Sequence, residues 1–250
     1  MGMEIVVASR PPPFEKRRRF FRAVDAAPAD GGLAVTLDGR TPRSPAGQPL
    51  KLPTEPLARL VAGEWEAQAE EIDPAAMPAT RLAWAAIADA ARASATDRIV
   101  AFASNDLLCY FAEGPAALVE RQQRRWGQVI EWAGQTLGLE LRPVVGVIHR
   151  PQPRETIERV RALAEAAPDF ALAGLDAATT LFGSAILGFA LARGALSGMA
   201  AFELSRLDEA FQEETWGVDA EAARRAEAMA DEAQMLERWF AALTPEKTGA

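Results

Sequence analysis

Residues 170–194, FALAGLDAATTLFGSAILGFALARG, form the most apolar stretch of the chain and decide its fold class. The stretch is as long as a helix of ~20 residues that crosses a membrane. It is interrupted, however, by Asp176, by the polar pair Thr179 and Thr180, and by glycines. We therefore predict either one buried core helix or two abutting helices, within a mostly helical part of the chain.

An acidic helix follows this core segment. Ser197 is placed to cap it, and the helical spacing predicts that it spans residues 197–216, ending in SRLDEAFQEETWG. Its apolar positions predict a buried stripe, formed by Ala200, Leu204, Leu207 and Phe211. Four acids lie in its last turns: Asp208, Glu209, Glu213 and Glu214. Near the end of a single long helix, these acids would face the negative pole of the helix dipole and reduce stability.

Local pairing explains only part of this charge. Arg206 can form an ion pair with Glu209 at i+3, which contributes about 0.3 kcal/mol. The other acids, Asp208, Glu213 and Glu214, have no evident partner along the helix. The pattern therefore allows three interpretations: a solvated face, a carboxylate pair for acid–base chemistry, or an acidic docking surface for another protein.

The N-terminal part of the chain carries strand and turn signals. LAVTL, residues 33–37, alternates and contains β-branched side chains, and the turn sequence DGR follows it. With the later turn PAGQ, it predicts a small antiparallel meander over residues 19–52. Thr54 is placed to cap a first helix over residues 54–70. Three prolines at 11–13 predict an extended arm before the meander.

Helical patterns dominate after a break at IDPAAMP, residues 72–78. We therefore predict an α+β protein, in which a small β-rich domain precedes a larger, mostly α-helical domain. Residues 1–76 would form the N-terminal arm and the β-rich domain with one helix. Residues 77–250 would form the helical domain, which contains the acidic 197–216 helix.

The charge of the chain limits the classes of partner. The chain holds 27 basic and 35 acidic residues, a net charge of −8, and residues 205–250 alone hold eleven acids and five bases, or −6. Such a segment repels phosphate, so we expect no nucleic acid partner, but it suits a basic protein surface. A short basic run lies at the other end, at Lys16, Arg17, Arg18, Arg19 and Arg22. We interpret it as a solvated or partner-facing strand edge.

The usual signatures of enzymes and metal sites are missing from the sequence. Cys109 is the only cysteine and His149 the only histidine, which excludes a disulfide within the chain and a zinc site of the usual Cys and His type. Cys109 lies among apolar residues, which indicates a buried, inert thiol. There is no phosphate-binding loop, dinucleotide fingerprint or nucleophile elbow. We expect no cofactor, no metal and no small-molecule substrate.

The N-terminal segment MGMEIVVASRPPPFEKRRRF shows no targeting pattern. Its apolar stretch is too short for the core of a signal peptide or for a membrane span. It also holds Glu4 and Glu15, and acids are unusual in a mitochondrial transit peptide. We therefore expect a cytoplasmic bacterial protein without stable membrane insertion.

Three long stretches together resemble the assembly chaperones for the α subunit of F-type ATP synthase. The first is VTLDGRTPRSPAGQPLKLPTEPLARLVAGEWEAQAEEIDPAAMPATRLAWAAI, residues 35–87. The second is SNDLLCYFAEGPAALVERQQRRWGQVIEWA, residues 104–133. The third is TTLFGSAILGFALARGALSGMAAFELSRLDEAFQEETWG, residues 179–217. The resemblance covers residues 18–217, and the combination of its motifs is specific.

The resemblance implies a binding protein and not an enzyme. Chaperones of this family bind the newly made α subunit and shield its exposed subunit interface until the β subunit replaces them. The family includes mitochondrial and bacterial members and shares the α+β fold predicted above. An important acid lies in its helix before the WG motif, and Asp208 and Glu209 occupy that part of the motif here. The expected partner-binding residues are Asp208, Glu209, Gln212, Glu213 and Trp216.

Two other classes of function remain open from the residues. A carboxylate-dependent hydrolase would use Asp208 or Glu209 with Glu213, and it requires a closed pocket with perturbed carboxyl pKa values. A purely structural helical scaffold would tolerate the loss of these acids. A chaperone requires an exposed apolar or aromatic groove beside the acidic helix. The six tryptophans are expected to pack in the core, so an exposed one would mark an interface.

Overall fold

The computed structural model describes residues 17–88 and 91–244. The strands are β1 Arg17–Arg18, β2 Val24–Ala29, β3 Gly32–Leu37, β4 Lys51–Leu52, β5 Glu71–Ile72, β6 Tyr110–Phe111 and β7 Val144–Val145. The helices are α1 Glu55–Glu66, α2 Pro78–Ala86, α3 Ala91–Ser104, α4 Ala116–Leu137, α5 Arg154–Glu165, α6 Asp169–Phe182, α7 Ala185–Ala192, α8 Gly198–Ser205, α9 Leu207–Trp216 and α10 Ala220–Leu243. The predicted α+β fold is confirmed. The proline arm at 11–13 and Lys16 lie outside the described residues.

The predicted N-terminal meander is an antiparallel sheet of β2, β3 and β4. β2 and β3 pair from Val24 opposite Leu37 to Ala29 opposite Gly32, and β3 continues the sheet by pairing Leu33 with Leu52. Residues 34–37 of β3 are all buried, and Val35 and Leu37, which lie on one face of the strand, share a core cluster with Leu57 and Val61 of α1.

The start of α1 ties this sheet to the last helix. The Thr54 hydroxyl accepts a hydrogen bond from the Leu57 amide at 3.3 Å and donates one to the Ala242 carbonyl of α10 at 2.6 Å. Thr54 is therefore the predicted cap, while α1 ends at Glu66, before the predicted residue 70. Buried side chains from before and after residue 76 belong to one core cluster. The division into residues 1–76 and 77–250 stays a prediction.

The apolar stretch that opened the sequence forms two abutting helices, α6 and α7. The chain turns between them at Gly183, whose φ of 65° lies in the left-handed region that glycine adopts without strain. Ser184 then caps α7, because its hydroxyl accepts from the Leu187 amide at 3.0 Å. Residues 185–191 of α7 are all buried, which places this helix at the centre of the core. Within residues 17–88 and 91–244, no helix has the length and hydropathy that crossing a bilayer requires.

A fully buried carboxylate holds the beginning of α7 in place. Asp106 accepts hydrogen bonds from the Ser184 hydroxyl at 2.6 Å, from the Ile186 amide at 3.1 Å and from the Leu108 amide at 3.2 Å. Burial raises the pKa of this carboxyl from 3.8 to about 6, although each of these hydrogen bonds lowers it. Asp106 therefore joins the loop before β6 to the central helix through hydrogen bonds that the core shields from water.

The second half of α10 closes the core, and a glycine makes this closure possible. A Cβ atom on Gly198, the first residue of α8, would lie 2.2 Å from the Ala233 carbonyl oxygen of α10. The Trp239 indole N–H donates to the Phe170 carbonyl at 3.0 Å, which fixes α10 on α6. By contrast, residues 220–232 of α10, all of them described, include no buried side chain.

We predict that Gly198→Ala destabilises the fold by about 3 kcal/mol, because α8 must move away from the α10 backbone. The matched control is Gly127→Ala in α4, where a Cβ atom meets nothing within 4 Å. That control should stabilise the protein by about 0.5 kcal/mol, since alanine favours the helix. Urea denaturation of both variants measures the difference. Equal stabilities would contradict the close approach of α8 to α10.

We predict that Asp106→Asn changes the pH dependence of stability. The folded carboxyl has a pKa of about 6, above its ordinary value of 3.8, so the folded state holds the proton to higher pH. The stability that this proton contributes is complete below the unfolded pKa and is lost as the pH rises through about 6. The asparagine variant cannot ionise, so its free energy of unfolding relative to wild type should rise between about pH 4 and pH 7. Urea denaturation at several pH values measures both free energies of unfolding. A constant difference between wild type and variant across that range would contradict this account.

Candidate partner-binding surface

The acidic segment is two helices and not the single 197–216 helix that the spacing predicts. The chain leaves helical geometry at Arg206, with φ −113° and ψ 21°, between α8 and α9. The cause is a tertiary hydrogen bond: the Trp126 indole N–H of α4 donates to the Leu204 carbonyl at 3.0 Å. In a continuous helix that carbonyl would accept from the amide four residues later. Ser197 caps α8 as predicted, because its hydroxyl accepts from the Ala200 amide at 3.1 Å.

The break reverses the electrostatic setting of two acids. Asp208 and Glu209 lie in the first turn of α9, at the positive end of its dipole, where a negative charge is stabilising. The expectation that they weaken the helix is therefore wrong. The predicted buried stripe is confirmed in part, because Leu204 and Leu207 are buried while Ala200 and Phe211 are half-buried.

Arginines neutralise the two acids at the other end of α9. Glu213 pairs with Arg206 at 2.6 Å, so the Arg206–Glu209 pair expected from the i+3 spacing does not form. Glu214 accepts two hydrogen bonds from the Arg121 guanidinium of α4, at 2.6 Å and 2.9 Å. This contact holds the pKa of Glu214 below its usual value. The same guanidinium lies 5.1 Å from the centre of the Phe211 ring, so Arg121 binds α9 through charge and through an aromatic face.

Asp208 is engaged inside the protein. Its Oδ1 atom accepts from the Gln122 Nε2 amide of α4 at 2.7 Å, and Gln122 Oε1 accepts from the Ala112 backbone amide at 2.8 Å. Gln122 is fully buried, and partial burial raises the pKa of Asp208. Asp208 therefore connects α9 to α4 and to the residue that follows β6.

The other four predicted residues line an open groove between α9 and the first half of α10. The groove has a volume of about 450 Å³, and its α9 wall includes Glu209, Gln212, Glu213 and Trp216. Trp216 is 85% exposed and Val218 is 55% exposed, so this end of the groove presents an aromatic and an aliphatic side chain to solvent. The structure thus brings together four of the five predicted residues and places Asp208 against α4 instead.

This arrangement suits binding better than hydrolysis. Glu213, the predicted partner of a catalytic acid, is already paired with Arg206, and Asp208 does not line the groove. Among residues 17–88 and 91–244, no cluster of three or more His, Cys, Asp or Glu side chains could hold a metal ion. Cys109 is buried, as predicted, and burial raises its pKa to about 12.

Two described residues of the basic run, Arg17 and Arg18, form a strand edge, as predicted. β1, Arg17–Arg18, pairs with β5, and Arg19 donates to the Glu66 carbonyl at 3.3 Å and to the Gln68 carbonyl. The Arg19 guanidinium also lies 4.6 Å from the centre of the Phe21 ring. The Arg19 side chain is therefore engaged in contacts within the N-terminal unit, while Arg17 and Arg18 face solvent.

The residues that hold α9 in place are not evident from the sequence. Arg121 and Gln122 lie 93 and 86 positions before their partners on α9, so no helical spacing relates them. The groove wall on α10 is not evident either, because an amphipathic pattern does not show whether a neighbouring element covers the helix face. Three exposed aliphatic side chains after β6 were not anticipated either: Val145, Val147 and Ile148.

The fold and this surface define an α+β protein with an open groove that is suited to a protein partner. The family model for the ATP12 chaperone protein matches residues 18–134. The mitochondrial protein atp12 of Schizosaccharomyces pombe is 28% identical over 225 residues, which cover 84% of this chain and 77% of that protein. The chain belongs to the ATP12 chaperone family.

Solved structures agree with this assignment. The crystal structure of Atp12 from Paracoccus denitrificans is 41% identical, with a TM-score of 0.85, and the match covers 91% of this chain and 98% of that one. An aspartate-to-lysine mutant of the same Paracoccus protein is 41% identical with a TM-score of 0.84, covering 90% and 97%. The Agrobacterium tumefaciens protein Atu1473, described as a candidate chaperone, is 39% identical with a TM-score of 0.85, covering 92% and 87%.

We predict that Asp208→Ala and Asp208→Asn differ in stability. Alanine leaves the buried Gln122 amide without its acceptor, which should cost about 2 kcal/mol. Asparagine retains an oxygen acceptor at the same position, so its loss should stay below about 1 kcal/mol. Urea denaturation near neutral pH measures both variants. If both lose the same stability, the Gln122 hydrogen bond does not hold α9.

Proposed function

We propose that this protein is an assembly chaperone of ATP synthase that binds the unassembled α subunit and shields its subunit interface until the β subunit joins. Membership of the ATP12 chaperone family supports a protein client. The observation that carries the proposal is the exposure of Trp216 beside an acidic groove. This is the aromatic groove beside the acidic helix that a chaperone requires.

The exposure of Trp216 has no explanation in the packing of the chaperone itself. Trp126 and Trp239 are fully buried and donate hydrogen bonds to backbone carbonyls, whereas Trp216 lies at the end of α9 in solvent. A tryptophan in water leaves a large apolar surface uncovered. Tryptophan is also among the residues that contribute most to protein interfaces, so we infer that a client covers this side chain.

The acids suit a contact that must later be released. Charges at the rim of an interface mainly set the association rate and the choice of partner, while a permanent interface is larger and more apolar. Glu209 and Gln212 are exposed on the groove wall and offer polar contacts beside Trp216. We infer that Glu209 contacts the client directly and that Asp208 acts by holding α9 against α4.

We further propose that the protein works in the cytoplasm of a bacterium, where it meets the α subunit before assembly. The structural relatives from Paracoccus denitrificans and Agrobacterium tumefaciens are bacterial and support this location. Fractionation of the native host, followed by immunoblotting, tests it. Recovery of the protein in the soluble cytoplasmic fraction is the expected result.

We predict that Trp216→Ala weakens the complex with purified α subunit by about 30-fold, as truncation of a large anchor side chain does. Glu209→Lys should weaken it by about tenfold, chiefly through slower association, because it reverses a charge at the rim. The complex should also weaken as salt rises from about 50 mM to about 300 mM, because the acidic contacts are screened. Isothermal titration calorimetry measures the affinities.

The control for this experiment is Glu131→Lys, which makes the same charge change on α4. Glu131 is exposed and accepts a hydrogen bond from Gln135. It lies on the side of α4 opposite the buried Gln122 and Val129. The affinity of the Glu131→Lys variant for the α subunit should stay within about twofold of wild type. A wild-type protein that binds no α subunit would overturn the proposed function. Variants that bind as tightly as the control would place the contact elsewhere on the surface.

A further inference from the structure

The first half of α10 extends beyond the core of the protein. Asp219 caps it by accepting from the Glu221 and Ala222 amides at 2.7 Å and 3.1 Å, so the helix begins through local hydrogen bonds. Residues 220–232, all within the described chain, contain no buried side chain, and core packing begins at Ala233. A helix that extends about three turns beyond its core offers one face to another molecule.

That face lines the groove opposite α9. Ala222, Ala226 and Met229 recur at i, i+4 and i+7 and are half-buried, and together with the exposed Arg225 they form the α10 wall of the groove. At 1.5 Å per residue, the wall between residues 219 and 229 is about 15 Å long, which equals about three turns of a second helix. The two alanines let the backbone of an incoming helix approach closely, and Trp216 and Met229 offer larger apolar surfaces at the groove.

The charge around the groove determines the kind of occupant. Residues 206–232, which include every charged residue that lines the groove, carry nine acids and three bases, a net charge of −6. The acids are Asp208, Glu209, Glu213, Glu214, Asp219, Glu221, Glu227, Asp231 and Glu232, and the bases are Arg206, Arg224 and Arg225. The lining itself holds three of these acids, Glu209, Glu213 and Asp219, and two of the bases, Arg206 and Arg225. A second copy of this chain would place acids against acids, as the symmetry of a twofold interface requires. A basic occupant is complementary to the net negative charge of the segment that forms the groove, in which Glu209, Glu227 and Asp231 are exposed.

The backbone chemistry favours a helical occupant over an extended one. The walls of the groove are side chains of two helices whose backbone groups are bonded internally, so the groove offers no open strand edge. An extended segment buried there would leave its own N–H and C=O groups unpaired, which is costly. A helix satisfies these groups internally and presents one apolar face, as in the helix-in-groove mode of recognition.

We propose that the groove between α9 and residues 219–229 binds one basic amphipathic helix of about three turns, with a large apolar side chain packed between Trp216 and Met229. The identity of the helix as part of the ATP synthase α subunit rests on the proposed function. The recognition chemistry rests on the groove alone, so the two can be tested separately.

The first test uses a fluorescent synthetic peptide of about 14 residues, made of Lys, Leu and Ala with the leucines on one helical face. Its control peptide has the same composition with Lys and Leu alternating, the period of a strand. The full-length protein should bind the helical peptide at least about tenfold more tightly in fluorescence anisotropy. Equal binding of the two peptides, or no binding of the helical one, would overturn the inference.

The second test blocks the groove by Ala226→Trp. Its matched control is Ala228→Trp, because residue 228 is exposed and lies about 200° around α10 from residue 226. The blocked variant should bind the helical peptide at least about tenfold more weakly, and the control within about twofold of wild type. Circular dichroism and urea denaturation confirm folding, and Ala222→Trp replaces Ala226→Trp if the latter unfolds.

Binding of purified α subunit to wild type and to Ala226→Trp then distinguishes the helix-in-groove inference from the proposed function. If it binds wild type and the blocked variant equally, the helix-in-groove inference is wrong while the proposed function stands. If it does not bind wild type but the helical peptide does, the proposed function is wrong while the groove specificity stands. A concentration-dependent dimer in sedimentation that Ala226→Trp abolishes would show that a second copy fills the groove, and this would overturn the inference.

Discussion

The hydrogen bond from the Trp126 indole to the Leu204 carbonyl determines the shape of the candidate partner-binding surface. It engages the carbonyl that would accept from the Asp208 amide in a continuous helix, and the chain bends at Arg206, where a new helix begins. Without the bend, Asp208 and Glu209 would lie in the middle of a long helix and not in the first turn of α9. The bend is therefore the feature that turns an acidic sequence into an exposed acidic helix with a favourable dipole.

The surroundings of α9 explain how a helix with only one buried side chain keeps a fixed position. Leu207 is buried, and polar contacts supply the rest: Arg121 holds Glu214, Arg206 holds Glu213, and Gln122 holds Asp208. α4 provides two of these three contacts as well as Trp126. The core behind α4 is in turn organised by α7, whose beginning depends on Asp106. The surface that we assign to the client thus depends on hydrogen bonds that reach into the core.

Much of the fold was predictable because its signals are local. The alternation of LAVTL, the capping positions of Thr54 and Ser197, and the glycine within the apolar stretch each act within a few residues, and the structure confirms them. The break at Arg206 was not predictable, because its cause lies 78 residues earlier on another helix. The partners of Asp208 and Glu214 are equally remote. The resemblance to the family selected the five acidic-helix residues, but only tertiary packing separates Asp208, which faces α4, from the four that line the groove.

The most direct test of the central claim is hydrogen–deuterium exchange of the full-length protein, free and in complex with purified α subunit. If the surface of α9 and the first half of α10 receives the client, amides of residues 207–229 should exchange more slowly in the complex, because a bound partner suppresses local opening. Residues 24–52 of the N-terminal sheet should exchange as in the free protein. Protection confined to that sheet, with residues 207–229 unchanged, would contradict the account.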